Sequence, residues 1–225
     1  MRDSYRNEKR FQLCLLRRGG FIAAVGMTPQ QFQQVQERLA RKRTPAPVNA
    51  ELARPAARKH QVVLGIDPSL RGTGYGILRV ERGGARLVTC GTVHCAAGWA
   101  RSRCLLAIAQ TLRDVLRQNS PEVCVIEGLF YAQNLQTALI MGEARGVAMA
   151  AAAEAGLEIY EIATRKVKQA IVGYGAAQKL AVAKMVQRML SLPELPTPDA
   201  ADALALALTF AQEQGRYSLS PPKPL

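Results

Sequence analysis

Four acidic residues occupy positions from which they can act together. Asp67 closes the apolar run QVVLGID, and Glu127 closes a second run, EVCVIE. Each run reads as a central, buried strand, and adjacent parallel strands would bring the two carboxylates side by side. Asp199 and Asp202 lie three residues apart in TPDAADALALAL, on one face of one helix. They fall in its first turn, where the macrodipole favours negative charge. Taken singly, each has a plain structural explanation, as a strand-end acid reaching solvent or a first-turn acid beside an N-cap. Taken together they raise one another's pKa, so such a cluster persists where cations offset it. All-oxygen ligands select hard ions such as Mg²⁺ or Mn²⁺. Two such ions about 4 Å apart can activate a water and stabilise the leaving oxygen of a phosphodiester. Whether the four acids meet is left open by the sequence alone.

Other chemistries compete for the same residues. LGIDPSLRGTGYG, residues 64–76, crowds four glycines and a proline around Asp67, which suits a phosphate cradle, a metal-binding acid or a tight hairpin turn. No GK[ST] follows and no GxGxxG is present, so the nucleotide-loop readings fail. ATPases of the actin and sugar-kinase group also begin with a GID strand, but they need a second phosphate motif and a longer body. After Glu127 comes GLFYAQN, where Phe130 and Tyr131 are candidates to stack on an unpaired base, worth roughly 1–3 kcal/mol. Arg165, Lys166 and Lys168 open one short helix and Lys179 opens the next. Cations at helix starts oppose the macrodipole, so phosphate contact or simple solvation must account for them. Arg71 is close enough in sequence to Asp67 to reach a phosphate.

The elements that must position these groups alternate in period. VVLGID, TGYGILRVE and ARLVTCGTVH read as strands, the last two joined by the turn ERGG. A helix follows with Leu105, Ile108, Leu112, Val115 and Leu116 on one face, then the strand ending in Glu127. A long alanine-rich helix from about Leu135 to Ala155, the strand LEIYEI and three more helices complete residues 61–214. This β-β-β-α-β-α-β order, with helices after it, predicts an α/β fold: a mixed five-stranded sheet that starts with an antiparallel hairpin and has helices on both faces. Gly142, Ala144, Gly146 and Ala148 suggest close packing on the sheet or on a partner helix. Residues 1–60 read as a basic, flexible extension. Within it Thr28 caps a helix bearing Phe32, Val35 and Leu39, and a proline-rich linker follows. Residues 215–225 read as a disordered tail.

Thirty Lys and Arg against seventeen Asp and Glu give +13 over 225 residues, the footprint of a polyanion binder. Residues 1–60 hold 13 basic and 4 acidic residues and residues 61–225 hold 17 and 13, so the excess is +9 against +4. Five cysteines form no CxxC pair and only two histidines are present, which argues against a zinc site and for thiols in a reducing compartment. No apolar run reaches the length of a membrane span. The expected location is the cytoplasm.

LGIDPSLRGTGYG, VIEGLFYAQN, LIMGEARGVA, VKQAIVGYGAAQK and PDAADALALAL, in this order over about residues 61–212, resemble the RuvC family of Holliday-junction resolvases. The resemblance implies a ribonuclease-H-like fold, a homodimer, and two symmetric Mg²⁺-dependent nicks in four-way junction DNA, in recombination and repair. It implies that Asp67, Glu127, Asp199 and Asp202 hold two Mg²⁺ ions per active site, with Mn²⁺ as a substitute. It further implies junction contact by Phe130, activity-supporting roles for Lys168 and Lys179, and a RuvA–RuvB branch-migration complex as partner. A related ribonuclease-H-like nuclease acting on RNA is the alternative. Ser69 stands where the family commonly has glycine, and Asp199 where some members have histidine.

Overall fold

All six residues of β1 (Val62–Asp67) are buried, because helices cover both faces of the sheet that β1 helps to form. The computed structural model describes residues 60–128, 135–214 and 222–225, together with Gln33. The readings of the leading segment, of Phe130 and Tyr131, and of most of the tail lie outside the described residues. Strand β2 (Gly72–Glu81) pairs antiparallel with β1, and β3 (Gly84–His94) pairs antiparallel with β2. Glu81 faces Gly84 across a two-residue turn, where Gly83 takes φ +116°, a conformation open mainly to glycine. On the other side of β1, β4 (Val123–Glu127) and β5 (Glu158–Ile162) add in parallel. The helices are α1 (Arg101–Asn119), α2 (Leu135–Glu154), α3 (Thr164–Val172), α4 (Lys179–Met189) and α5 (Pro198–Glu213).

This is the mixed α/β architecture expected from the order of elements, with one addition. Lys223–Pro224 form a sixth strand, β6, antiparallel to β5, so the sheet order is β3-β2-β1-β4-β5-β6. Leu225 donates its N–H to Ile159 O at 3.0 Å. The segment SPPKPL carries no strand period, but β5 would otherwise present open backbone groups, and proline is tolerated on an edge strand.

Alternation along the strands sorts two cores. Val62, Leu64, Ile66 and Ile77 pack with Ile108 and Leu112 of α1 and Ala144 and Ala148 of α2. Val63, Leu78, Val123 and Val125 pack on the opposite face with Val167, Ile171, Val182, Val186 and Leu204 of α3, α4 and α5. Side chains two apart share a face, so Asp67 and Glu127 project on the α3–α5 side.

Helix α5 lies directly on the strands. A Cβ on Gly65 would fall 2.0 Å from Ala203 O, one on Gly74 1.9 Å from Asp199 O, and one on Gly76 2.5 Å from Leu204 Cδ2. It is helix α5 that fills the space beside these glycines. The alanine and leucine positions of α5 are buried nearly all round, which is why its sequence is apolar without a clear stripe. The small residues of α2 divide: Ala144 and Ala148 are buried, whereas a Cβ on Gly142 or Gly146 would meet nothing within 4 Å. Among the described residues, no helix is long and apolar enough to cross a membrane.

Candidate active site

Ile66 pairs with Ile126 across the parallel β1–β4 ladder. The next residue of each strand is therefore an acid, and Asp67 and Glu127 stand level. Helix α5 starts above them with Pro198 at its first position, where a missing N–H costs nothing. Thr197, just before it, has its hydroxyl in contact with Thr92 Oγ1 at 2.8 Å instead of capping the helix. This contact moors the start of α5 to β3 and sets Asp199 and Asp202 over the strand ends. Asp67, Glu127, Asp199 and Asp202 line one cavity of about 270 Å³, together with Lys168, Lys179, Thr164, Pro68, Ser69, Met141, Val167, Val182 and Leu206.

The electrostatics of the cavity are those of crowded negative charge. Asp67 is buried and its pKa is pushed up to about 8, first by burial and then by the adjacent Glu127 carboxylate and by Asp202. Asp202 is also raised, by burial and by Glu127 and Asp199, although Lys179 opposes the shift. Lys179 Nζ lies 3.1 Å from Asp202 Oδ2. Burial by itself would lower the Lys179 ammonium, but Asp202, Asp67 and Asp199 outweigh it and raise the pKa. Two lysines, Lys168 and Lys179, thus face four carboxylates, an imbalance that an added cation relieves.

Glu127 is held at two points. Its Oε1 accepts a hydrogen bond from Thr164 Oγ1 at 2.6 Å, and its main-chain oxygen accepts one from Arg145 Nε at 3.2 Å. Arg145 is buried and pairs with Glu161 at 2.5 Å, while Gly128 N–H bonds Ile162 O at 2.9 Å. The turn after Asp67 is pinned by the buried Thr73 hydroxyl, which donates to Ser69 O at 2.5 Å and accepts from Ser69 N–H at 3.2 Å. Both contacts use the Ser69 main chain, so a glycine there would make them equally.

The proposed nucleic-acid contacts divide. Lys168 lines the cavity, whereas Arg165 is exposed and lies against Gly175, whose Cβ would fall 2.5 Å from Arg165 Cγ. Lys166 pairs with Glu213 at 2.6 Å. Arg71 does not line the cavity. Its guanidinium donates to Ala96 O at 2.5 Å and Trp99 O at 3.2 Å and approaches Cys104 Sγ at 3.3 Å. Proximity in sequence to Asp67 suggests a phosphate ligand; here Nη1 and Nη2 bond carbonyls of the β3–α1 connection, so Arg71 braces that connection to the β1–β2 turn. Thr164, Arg145 and Glu161 are site residues that sequence reasoning missed. Their one signal is the β4–β5 register, Glu127 beside Ile162, which is a tertiary fact.

A divalent metal is the group this site would take. All four acids offer oxygen donors, the set that selects hard ions, and the raised Asp67 and Asp202 are carboxyls short of positive charge. Among the described residues no group of three or more His, Cys, Asp or Glu is already set at metal-ligand spacing. The donor chemistry fits a hard divalent ion.

The family model for Crossover junction endodeoxyribonuclease RuvC matches residues 63–210. The chain belongs to the RuvC family. Similar proteins of that name come from Akkermansia muciniphila, 44% identical over 65% of this chain and 88% of the relative, and from Pseudomonas entomophila, 42% identical over 71% and 90%. The Thermus thermophilus RuvC structure in complex with Holliday junction substrate is 36% identical, covering 74% of this chain and all of that one, with a TM-score of 0.67. The yeast mitochondrial Holliday junction resolvase Ydc2 is 12% identical with a TM-score of 0.51, a likeness of fold. The family match spans all four acids of the cavity and both of its lysines.

Proposed function

We propose that this chain is a structure-selective endonuclease of the cytoplasm that resolves four-way Holliday DNA junctions by two symmetric, Mg²⁺-dependent phosphodiester hydrolyses, in recombination and repair. The observation that carries this reading is the convergence of Asp67, Glu127, Asp199 and Asp202, from three elements, on one cavity flanked by Lys168 and Lys179. The relatives' name, an endodeoxyribonuclease acting at crossover junctions, supports the substrate. Nothing in it favours the RNA-directed alternative.

The four acids would hold two divalent ions, Mg²⁺ with Mn²⁺ as a substitute. When bound, these supply a water of lowered pKa and neutralise charge on the leaving oxygen. The chain's own residues prepare the place. Thr164 fixes one oxygen of Glu127, Lys179 offsets Asp202, and the apolar walls Val167, Val182 and Leu206 limit water. Lys168 and Lys179 present ammonium groups to the phosphate backbone of an entering strand. Phe130 and Tyr131, which follow Glu127 by three and four residues in the sequence, are the aromatics proposed to stack on bases opened at the junction.

Two symmetric nicks need two sites, and a homodimer supplies them. In support, α2 exposes Leu135 at 75% and Leu139 at 59%, and Gly142 and Gly146 continue the same face with open space above them. Such a face lets a second helix approach closely. A RuvA–RuvB complex would deliver the junction to that dimer.

The test compares a labelled mobile four-way junction with a linear duplex of identical sequence, each with Mg²⁺ or chelator, using the full chain and Asp67→Asn. Paired, symmetric, ligatable nicks on the junction alone, lost with chelator or in the variant, are expected. Equal cutting of both DNAs would remove the junction claim. Tight binding without cutting under any metal would remove the catalytic role of the four acids.

A further inference from the structure

Two acids of the cavity have a side-chain partner of opposite or neutral charge: Asp202 pairs with the Lys179 ammonium at 3.1 Å, whereas the Glu127 carboxylate is held by a neutral hydroxyl. Thr164, the first residue of α3, donates from Oγ1 to Glu127 Oε1 at 2.6 Å and itself lines the cavity. The hydroxyl is directed at Glu127: Ala163, the position before it, makes no side-chain cap, and the N–H groups of Lys166 and Val167 bond Ala163 O. Glu127 also has its main-chain oxygen fixed by Arg145, whose other end is tied to Glu161 on β5. Backbone and side chain of one acid are therefore both anchored, each from a different helix.

We propose that Thr164 is a positioning residue that turns the Glu127 carboxylate toward Asp67 and so sets the affinity of the cavity for divalent cations. The proposal rests on the metal-binding reading given above. A carboxylate free to rotate loses orientation entropy each time it takes a ligand. One held by a hydroxyl at Oε1 keeps its other oxygen directed into the cavity. Hydrogen bonds of this kind to a ligating carboxylate are worth about 10–100-fold in metal affinity. Threonine suits the task because its two Cβ substituents restrict χ1, so the donor is itself held in place. Serine keeps the donor with more freedom, and valine keeps the shape without the donor.

The experiment titrates Mn²⁺ alone, without DNA, into the full chain and into Thr164→Val, Thr164→Ser and Thr164→Ala by calorimetry, with a thermal melt of each metal-free protein. Thr164→Ala removes the hydroxyl without a new apolar contact and stands in if valine disturbs folding. The expected result is a Mn²⁺ affinity about 10–100-fold weaker in the valine and alanine variants, near-complete recovery in serine, and metal-free melting points close to the parent's. Parent-like affinity in both variants that lack the hydroxyl would overturn the proposal, leaving the metal reading intact. Equal weakening in all three, serine included, would overturn it as well, because the hydroxyl would not be the cause. A parent chain that binds no Mn²⁺ would overturn the metal reading and this proposal with it.

Discussion

Gly74 of β2 and Asp199 of α5 meet backbone to backbone: a Cβ on Gly74 would fall 1.9 Å from Asp199 O. The strand glycine and the proposed metal ligand are thus parts of one contact. Gly74→Ala is expected to lift the start of α5 off the sheet. Overpacking of this kind costs roughly 1–3 kcal/mol or more, and activity should fall further than stability, since Asp199 and Asp202 move together. Gly84→Ala, where a Cβ meets nothing within 4 Å, is the control. Denaturant midpoints and cleavage rates of the two variants check the difference.

Asp67 predicts how metal-free stability follows pH. Its folded pKa, about 8 against an ordinary 3.8, lies above that of the unfolded chain, so the folded protein holds the extra proton between those values. The stability that Asp67 contributes is full below about pH 4 and declines as pH rises toward 8, by an amount on the order of a few kcal/mol. Asp67→Asn should flatten that slope and raise the metal-free melting temperature at pH 8. Added Mg²⁺ should stabilise the parent at pH 8 and the variant less. Thermal melts from pH 4 to 9, with and without Mg²⁺, read all three effects.

Lys179 separates function from stability. Its side chain is 63% exposed, and exposed ion pairs contribute about 0–1 kcal/mol, so Lys179→Ala should melt close to the parent. Cleavage should fall by about 10²–10³, the range for loss of one charge-stabilising donor. Junction binding should lose about one unit of salt slope if Lys179 meets a phosphate. Single-turnover cleavage and binding at several salt concentrations decide this.

Arg145 is the opposite case. It is buried and paired with Glu161, and removing one partner of such a pair costs about 3–5 kcal/mol. Arg145→Met should therefore destabilise strongly, and Arg145→Met with Glu161→Leu should recover most of the loss. Recovery of stability without recovery of cleavage would separate its hold on the Glu127 carbonyl from its part in the core. Urea unfolding beside cleavage assays measures both.

The exposed face of α2 predicts oligomeric state. If the proposed dimer forms through this face, Leu139→Glu should shift it toward monomer in analytical ultracentrifugation while leaving its circular dichroism unchanged. An unaltered sedimentation profile would remove this face of α2 as the proposed interface.

Much of this protein was legible in its sequence, because much of it is local. Strand and helix periods, the Arg82-Gly83 turn and the one-face spacing of Asp199 and Asp202 depend on neighbours a few residues away. The apolar runs ending in Asp67 and Glu127 told of burial on both faces, and burial is what makes a terminal acid informative. Sequence could not say that the runs lie level, since register is a property of two strands. That register brings Thr164 beside Glu127, and no pattern around Thr164 announces it. Arg71 shows the same limit in reverse. Four residues from Asp67 along the chain, it reaches instead for Ala96 and Trp99, because a turn sends successive side chains in different directions. The glycines of β2 were visible as glycines, but their reason, a helix more than a hundred residues later resting on the strand, exists only in the folded chain. Short-range chemistry selects the elements; long-range packing decides which side chains meet.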